Sequence, residues 1–166
     1  SRLEHLYTGH EVATHGYTHL DLTKLSDSEI LMELENDIAG LNRYFKQDTQ
    51  GFAYPYGTFN QAVIEQLKKT TVRYARTIRD SHGFDLPKDP YLLDPTCHFA
   101  DAKLMALTED FLKDNDKDRF FLIWGHSYEL RTENDWERFE TFLRRIAHRD
   151  NVFYGSILDC LKSMNL

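Results

Sequence analysis

The sequence predicts an α/β fold built on a parallel sheet or barrel, and three observations support this. Short β-favouring or apolar segments occur at 11–14, 51–54, 73–78, 120–124 and 152–154. Segments with apolar residues at helical spacing lie between them, and such alternation is typical of βαβ units. The third observation is length, since 166 residues are enough to bury a real core. We therefore predict a single domain over residues 1–166.

The predicted helices have start signals or apolar stripes. Ser26 and Glu29 form a capping box that opens the first long helix. Asn60 and Ser156 are candidate N-caps of a second helix and of the closing helix. Two further helices are predicted over 102–112 and 134–149. The latter is expected to bury one side, formed by Trp136, Phe139, Leu143 and Ile146.

The remaining segments are predicted from composition. Residues 120–124, Phe-Phe-Leu-Ile-Trp, are apolar at every position, which predicts a strand that is buried on both faces. Residues 80–101 contain three prolines and predict a long loop over the functional face. The charged run from Asp114 to Asp118 predicts a solvated turn.

Charge and composition exclude some classes of function. The chain has 20 basic and 27 acidic residues, and its net charge of −7 argues against a nucleic-acid surface. No apolar run is long enough for a membrane span. Cys97 and Cys160 are isolated and lack CxxC spacing, so they leave the redox compartment open. The chain begins without Met, and the location stays undecided between cytoplasm and cell envelope.

His15 and His19 are the first candidate functional residues, because they lie four residues apart after a strand-like segment. The zinc-protease helix needs Glu directly after the first His, whereas Gly16 follows His15. We therefore predict a tight loop that directs both rings to one point. Imidazole suits Zn, Ni, Co and Fe, but a catalytic site needs about three protein ligands. The alternative is that both are ordinary polar loop residues.

Two further candidates follow other predicted strands. Pro55-Tyr56-Gly57 ends the strand at 51–54, and Gly125-His126 ends the strand at 120–124. Because function in parallel α/β folds concentrates at the carboxyl ends of strands, three such strand ends predict one working face. The alternatives are ordinary turn chemistry for Tyr56 and a hydrogen-bonded turn residue for His126.

Three segments carry a resemblance to a known family. Residues 9–22 resemble the second motif of the polysaccharide deacetylases with NodB homology. Residues 52–57, Phe-Ala-Tyr-Pro-Tyr-Gly, resemble the third motif as many bacterial members carry it, and residues 122–126 resemble the fifth. The resemblance implies a distorted (β/α) barrel that hydrolyses N- or O-acetyl groups on sugars. It also implies one divalent metal, zinc first, with cobalt or nickel as alternatives.

The resemblance also implies roles for individual residues. His15 and His19 would be metal ligands. The backbone N–H of Tyr56 would hold the tetrahedral oxyanion, and His126 would protonate the leaving group as general acid. The partner would be an acetylated sugar or glycan.

The chain departs from the family pattern in three respects, one of which is that Ala53 stands where the third motif usually opens with Arg. It has no adjacent Asp pair, which in the family supplies the general base and the third metal ligand. We expect that the first strand and its helix are missing, and that a homodimer forms across the open barrel edge. Asp21 and Asp80 are the nearest stand-in carboxylates. The fourth motif is also not found, so the residue that tunes the catalytic acid is unidentified.

Three functions follow from this pattern. The first is a metal-dependent hydrolase of carbon–nitrogen bonds in acetylated sugars. The second is a catalytically inactive carbohydrate-binding or structural remnant of the same fold. The third is a metal-dependent amidase that acts on a small non-sugar amide.

Overall fold

The computed structural model describes residues 2–113 and 116–166, so Asp114 and Asn115 of the predicted charged turn lie outside the described residues. The chain forms two compact units. The first unit comprises residues 1–77, 89–93 and 154–166, and the second unit comprises residues 78–88 and 94–153. Each unit is described by itself, and the expectation of one domain over 1–166 stays a prediction.

Six α-helices form within the described residues, and five of them, α2 to α6, correspond to the five predicted helices. The helices are α1 (Arg2–Leu6), α2 (Asp27–Phe45), α3 (Gln61–Leu67), α4 (Leu104–Phe111), α5 (Glu133–Ile146) and α6 (Ile157–Ser163). None of the helices described is both long and apolar enough to cross a membrane.

The first unit is organised on a parallel sheet of β1 (Gly51–Ala53) and β2 (Tyr74–Arg76). Isolated parallel bridges extend it on both sides, from Thr14 to Phe52 and from Arg76 to Leu93. The predicted strand at 11–14 therefore contributes a single bridge at Thr14. The α/β class predicted from the alternation of segments is confirmed in this unit.

The core of the first unit lies between this sheet and helices α2 and α3. The capping box at Ser26 and the Asn60 cap both form, and Asn60 accepts a hydrogen bond from the Val63 N–H at 3.0 Å. Helix α2 then buries the apolar side chains spaced four apart along its inner face. The buried residues are Leu22, Ile30, Leu34, Ile38, Phe52, Tyr54, Val63, Ile64, Leu67, Val72 and Ala75.

The second unit has its own parallel pair, β3 (Cys97–His98) and β4 (Ile123–Trp124). Its core is smaller and combines this pair with helices α4 and α5. The buried residues are Cys97, Leu104 and Phe142, with Leu107, Phe121, Ile123, Phe139 and Ile146 packed against them. The strand predicted at 120–124 is thus only two residues long, and its side chains are half-buried.

Two predictions from the periodicity are wrong. No strand forms at 152–154, because the Val152 N–H donates to the Arg149 carbonyl in a turn and Phe153 is 63% exposed. On α5, Trp136 is 55% and Leu143 is 45% exposed. The buried face of this helix is instead formed by Phe139, Phe142 and Ile146, which also share one side at helical spacing.

Candidate functional site

The loop that carries His15 and His19 begins at the edge of the first unit's sheet. The Thr14 N–H donates to the Gly51 carbonyl at 2.8 Å, and the Thr14 carbonyl accepts from the Ala53 N–H at 3.0 Å. His15 is therefore the first residue beyond a paired backbone segment. Gly16 follows with φ of 84°, a left-handed conformation that turns the chain and that side chains other than glycine rarely adopt.

Two carboxylates on helix α2 hold this loop through hydrogen bonds. Asp37 Oδ2 accepts hydrogen bonds from the Thr14 hydroxyl and, at 3.0 Å, from the His15 N–H. Glu33, one helical turn earlier, accepts from the Thr18 N–H and the Thr18 hydroxyl, both at 2.8 Å. Because residues i and i+4 share one helix face, both carboxylates reach the same loop.

The two imidazoles meet through their Nε2 atoms. His15 Nδ1 lies 2.7 Å from the Ala53 carbonyl, which can only accept, so Nδ1 carries the proton and Nε2 presents a lone pair. His19 Nε2 lies 3.1 Å from His15 Nε2, and His19 has φ of 57°. A positive φ at a residue other than glycine is uncommon, and here it turns the second ring back to the first.

This pair fits two ligands of a divalent metal. Two nitrogens about 2.0–2.1 Å from a tetrahedral zinc lie roughly 3.3 Å apart, close to the observed 3.1 Å. A ligand histidine commonly donates its other N–H to a backbone carbonyl, as His15 does. Among the residues that the structure describes, no His, Cys, Asp or Glu joins the pair to complete a three-ligand group.

The turn Pro55-Tyr56-Gly57 lies beside the histidine pair. Tyr56 has φ of 57°, and its ring contacts the His19 ring edge-to-face at a centroid distance of 4.6 Å. Within the described part of the chain the Tyr56 N–H makes no hydrogen bond, so it can donate to a ligand. Asp21 ties this turn to the loop, since Asp21 Oδ1 accepts from the Thr58 hydroxyl at 2.8 Å.

The Asp21 carboxylate already accepts hydrogen bonds from Thr23 and Thr58. Hydrogen bonds from Thr23 and then from Thr58 hold the pKa of Asp21 well below its usual range. Asp21 also pairs with Lys24 at 3.2 Å. The expected stand-in role of Asp21 as a base therefore has no support in these contacts, because a base needs a free carboxylate with proton affinity near neutral pH.

His126 lies in the second unit, two residues after the end of β4, and caps a 3₁₀ turn over Ser127–Glu129. Its backbone N–H donates to Glu129 Oε2 at 2.8 Å, and its ring Nδ1 lies 3.4 Å from the same oxygen. His98 Nε2 also reaches that oxygen, at 2.9 Å. His98, His126 and Glu129 form one group whose donor atoms lie within 4.8 Å of one another.

A second such group in this unit contains Asp80, His82 and Asp101. His82 Nε2 lies 2.7 Å from Asp101 Oδ2, and the Trp124 indole N–H donates to Asp80 Oδ1 at 2.7 Å. Asp80, the other expected stand-in carboxylate, thus already accepts a hydrogen bond from Trp124.

The structure brings three of the four predicted site residues together. His15, His19 and Tyr56 lie in contact within the first unit, whereas His126 belongs to the second unit. Sequence reasoning missed Glu33, Asp37 and Glu129, and it left His98 undecided. Glu129 could have been found, because a carboxylate three residues after a predicted catalytic His can cap its turn.

Comparison with known proteins gives a family match in the part of the chain that carries this site. Residues 3–75 match the family model of polysaccharide deacetylases. These residues include His15, His19 and Tyr56. The resemblance to the polysaccharide deacetylases is confirmed. A search of curated proteins found no match.

Solved structures of deacetylases share the fold. A putative polysaccharide deacetylase from Mycobacterium smegmatis superimposes with a TM-score of 0.68 at 16% identity, over 96% of this chain and 64% of that one. A pseudoenzyme of the CE4 family from Bacillus anthracis gives a TM-score of 0.60 at 18% identity, over 96% of this chain and 50% of that one.

A third structure, a deacetylase from Streptococcus pyogenes in complex with acetate, gives a TM-score of 0.51 at 19% identity over 56% of this chain. This chain covers 41% of that deacetylase and about half of the pseudoenzyme, so it spans only part of their length. At these identities the likeness establishes an α/β fold of the NodB type.

Proposed function

We propose that this chain acts in a metal-dependent hydrolase that removes acetyl groups from N- or O-acetylated sugars or polysaccharides. The proposal includes the distorted (β/α) barrel of that family as the full architecture. The single observation that carries it is the pair of Nε2 atoms of His15 and His19, 3.1 Å apart beside the Tyr56 turn. The match of residues 3–75 to the deacetylase family supports the same assignment.

His15 and His19 would hold the metal, with zinc as the first choice because imidazole suits it well. When bound, such a metal polarises an acyl carbonyl and lowers the pKa of a water toward about 7. The Ala53 carbonyl keeps the proton on His15 Nδ1, and Asp37 fixes the backbone of His15. These contacts prepare the ligand atoms before any metal arrives.

The Tyr56 N–H would donate to the oxygen that becomes negative when water adds to the acetyl carbonyl. Its positive φ suits it to this role, as does the absence of a hydrogen bond from its N–H to any described residue, because strained backbone is common where a chain must present a donor. One donor of this kind is typically worth about 10²–10³ in rate.

His126 would give a proton to the departing nitrogen or oxygen as the carbon–nitrogen or carbon–oxygen bond breaks. An amine anion is too basic to leave unprotonated, so N-deacetylation in particular needs this acid. General acid catalysis is typically worth about 10²–10⁴ in rate.

A specific observation favours a second candidate, an inactive carbohydrate-binding remnant. The described residues supply only two metal ligands at the histidine pair, and one of the structures that share this fold is a pseudoenzyme. Binding of metal and glycan without hydrolysis would establish this second function.

The test combines metal binding with hydrolysis. Zinc binding to the chain is measured by calorimetry, and acetate release is measured from chito-oligosaccharides and acetylated xylan. We expect weak zinc binding from two ligands, and we expect His15→Ala to abolish both binding and acetate release. The metal and the hydrolysis would then depend on the same imidazole.

His10→Ala is the matched control, because His10 lies on the same segment, is exposed and stands outside the pair. It should leave both measurements unchanged. Zinc affinity that His15→Ala does not alter would refute the metal site, and zinc binding without acetate release would favour the inactive remnant.

A further inference from the structure

We propose that Glu129, together with His98, positions the His126 ring for proton transfer and so replaces the tuning residue that the sequence does not show. The inference rests on the proposed function, since it assigns His126 the role of general acid. It concerns contacts within the second unit alone. Glu129 and His98 are positioning residues here, because they act through His126.

A single carboxylate oxygen gathers the donors of this cluster. Glu129 Oε2 accepts from the His126 N–H at 2.8 Å and from His98 Nε2 at 2.9 Å. His126 Nδ1 lies 3.4 Å from the same oxygen. A carboxylate can only accept, so we infer that the proton of the neutral His126 ring is on Nδ1, facing this oxygen. A small rotation of the ring brings that N–H to hydrogen-bonding distance, as catalytic contacts often tighten only with substrate.

The tautomer of His98 is set by the backbone. The Ala100 N–H donates to His98 Nδ1 at 3.1 Å, so Nδ1 is the acceptor nitrogen and the proton of the neutral ring is on Nε2. Nε2 therefore donates to Glu129 Oε2. Glu129 is fixed at two points before it meets the His126 ring.

This arrangement leaves His126 Nε2 as the working atom. Within the described residues Nε2 makes no hydrogen bond, and the side chain is 43% exposed. In the proton transfer, Nε2–H of the imidazolium gives its proton to the leaving atom as the bond to the acyl carbon breaks. The neutral ring keeps the Nδ1 proton against Glu129 and later takes a proton at Nε2 from solvent.

The surroundings favour an ionised Glu129. Burial raises the pKa of Glu129, but the hydrogen bonds that it accepts from the His126 backbone and from the His98 ring more than offset this, so the pKa lies below its usual range. The Tyr128 ring stacks on the His126 ring at 4.9 Å and Trp124 contacts it at 6.1 Å. The His126 ring is thus packed against two aromatic side chains.

The same three residues could be taken for a metal site, but the hydrogen bonds oppose this. Metal on His98 Nε2 requires that atom to be deprotonated, whereas Nδ1 already serves as acceptor for Ala100. Both nitrogens would then lack a proton, or the backbone contact would break. The observed pattern is that of a carboxylate between two N–H donors.

The test is the tautomeric state of His126 in the full chain, read from ¹⁵N shifts in a long-range ¹H–¹⁵N correlation spectrum at alkaline pH with EDTA. We expect the Nδ1–H form for His126 and the Nε2–H form for His98. Glu129→Gln should move His126 to a mixture of both forms, and Glu129→Asp should partly restore the Nδ1–H form. Glu140→Gln removes an exposed carboxylate of the same unit and should change neither ring.

Activity separates this inference from the proposed function. Glu129→Gln should lower kcat for acetate release by about tenfold to hundredfold and leave KM unchanged. Expected tautomers without any acetate release by the native chain would refute the deacetylase function and leave the positioning intact. Acetate release together with an unchanged His126 spectrum in Glu129→Gln would overturn the positioning. Zinc that shifts the His98 and His126 signals together would also overturn it.

Discussion

The loops at 14–19 and 125–129 each present histidine within two residues of a paired backbone segment, yet their ring nitrogens meet different partners. In the first loop, His15 Nδ1 donates to a carbonyl and its Nε2 faces a second imidazole. In the second loop, His126 Nδ1 faces the Glu129 carboxylate. The hydrogen-bond partner of one ring nitrogen thus decides whether the other nitrogen is suited to bind a metal or to transfer a proton.

The two loops also differ in how their backbone is held. The first is fixed from outside by Glu33 and Asp37, which lie on a helix that follows it in the chain. The second is fixed by Glu129 from within its own turn and by His98 from the neighbouring strand. Loss of Glu33 or Asp37 should therefore destabilise the whole first loop. Loss of Glu129 should act mainly on the His126 ring.

The largest expected effect is that of Glu33→Ala. This variant removes both hydrogen bonds to Thr18 from a nearly buried carboxylate, and each bond to a charged group contributes about 1.5–3 kcal/mol. We expect the free energy of unfolding in urea to fall by about 2–4 kcal/mol. Zinc affinity should fall by about tenfold, as for other supporting contacts of metal ligands.

Glu35→Ala is its control, because Glu35 lies on the same helix and is exposed. It should change the free energy of unfolding by less than about 0.5 kcal/mol. Equal losses in both variants would show that helix α2 does not anchor the loop through Glu33.

Gly125→Ala tests the second loop. A Cβ at Gly125 would lie 2.0 Å from the Phe99 ring and 3.0 Å from His98 Nε2, so the aromatic packing beside His126 must shift. Such overpacking typically costs about 1–3 kcal/mol of unfolding free energy. The ¹⁵N signals of His98 should move as well.

Gly40→Ala provides the contrast for that measurement. No atom lies within 4 Å of a Cβ at this helical position, so alanine should stabilise the protein by about 0.5–1 kcal/mol. A Gly125→Ala protein as stable as the native chain would mean that Phe99 moves aside without cost.

The smallest expected effect is a difference in alkylation rate between one thiol of each unit. Cys97 of the second unit is fully buried, and burial raises its pKa to about 12, whereas Cys160 of the first unit is only partly buried. Because the thiolate is the reactive form, iodoacetamide should label Cys160 faster by about an order of magnitude or more. Mass spectrometry of timed samples, with Cys160→Ser as the control, measures both rates. Equal labelling would show that the second unit opens readily.

The sequence predicted the parts of this fold that local rules determine. The caps at Ser26, Asn60 and Ser156 form as expected, since an N-cap acts within three residues. The strand predicted at 152–154 does not form, because β-favouring residues form a strand only where a partner backbone lies alongside. Trp136 was assigned to the interior although Phe142, six residues later, occupies the buried face of α5.

The site was predictable to a similar extent. The spacing of His15 and His19 predicted that their rings would meet, and they do, because Gly16 and the positive φ of His19 turn the loop. The anchors Glu33 and Asp37 are separated from the loop by a 3₁₀ turn, the helix cap and about two turns of α2. No local pattern links them to it, so only the packing of the helix reveals the contact.

The four-residue spacing of Glu33 and Asp37 places both carboxylates on the face of helix α2 that contacts the loop at 14–19. Each residue of an α-helix advances by about 100° of rotation and 1.5 Å of rise. One inserted or deleted residue between these carboxylates would turn one of them away from the loop. The placement of both histidine rings for the proposed metal therefore depends on the length of a helix segment that supplies neither of them.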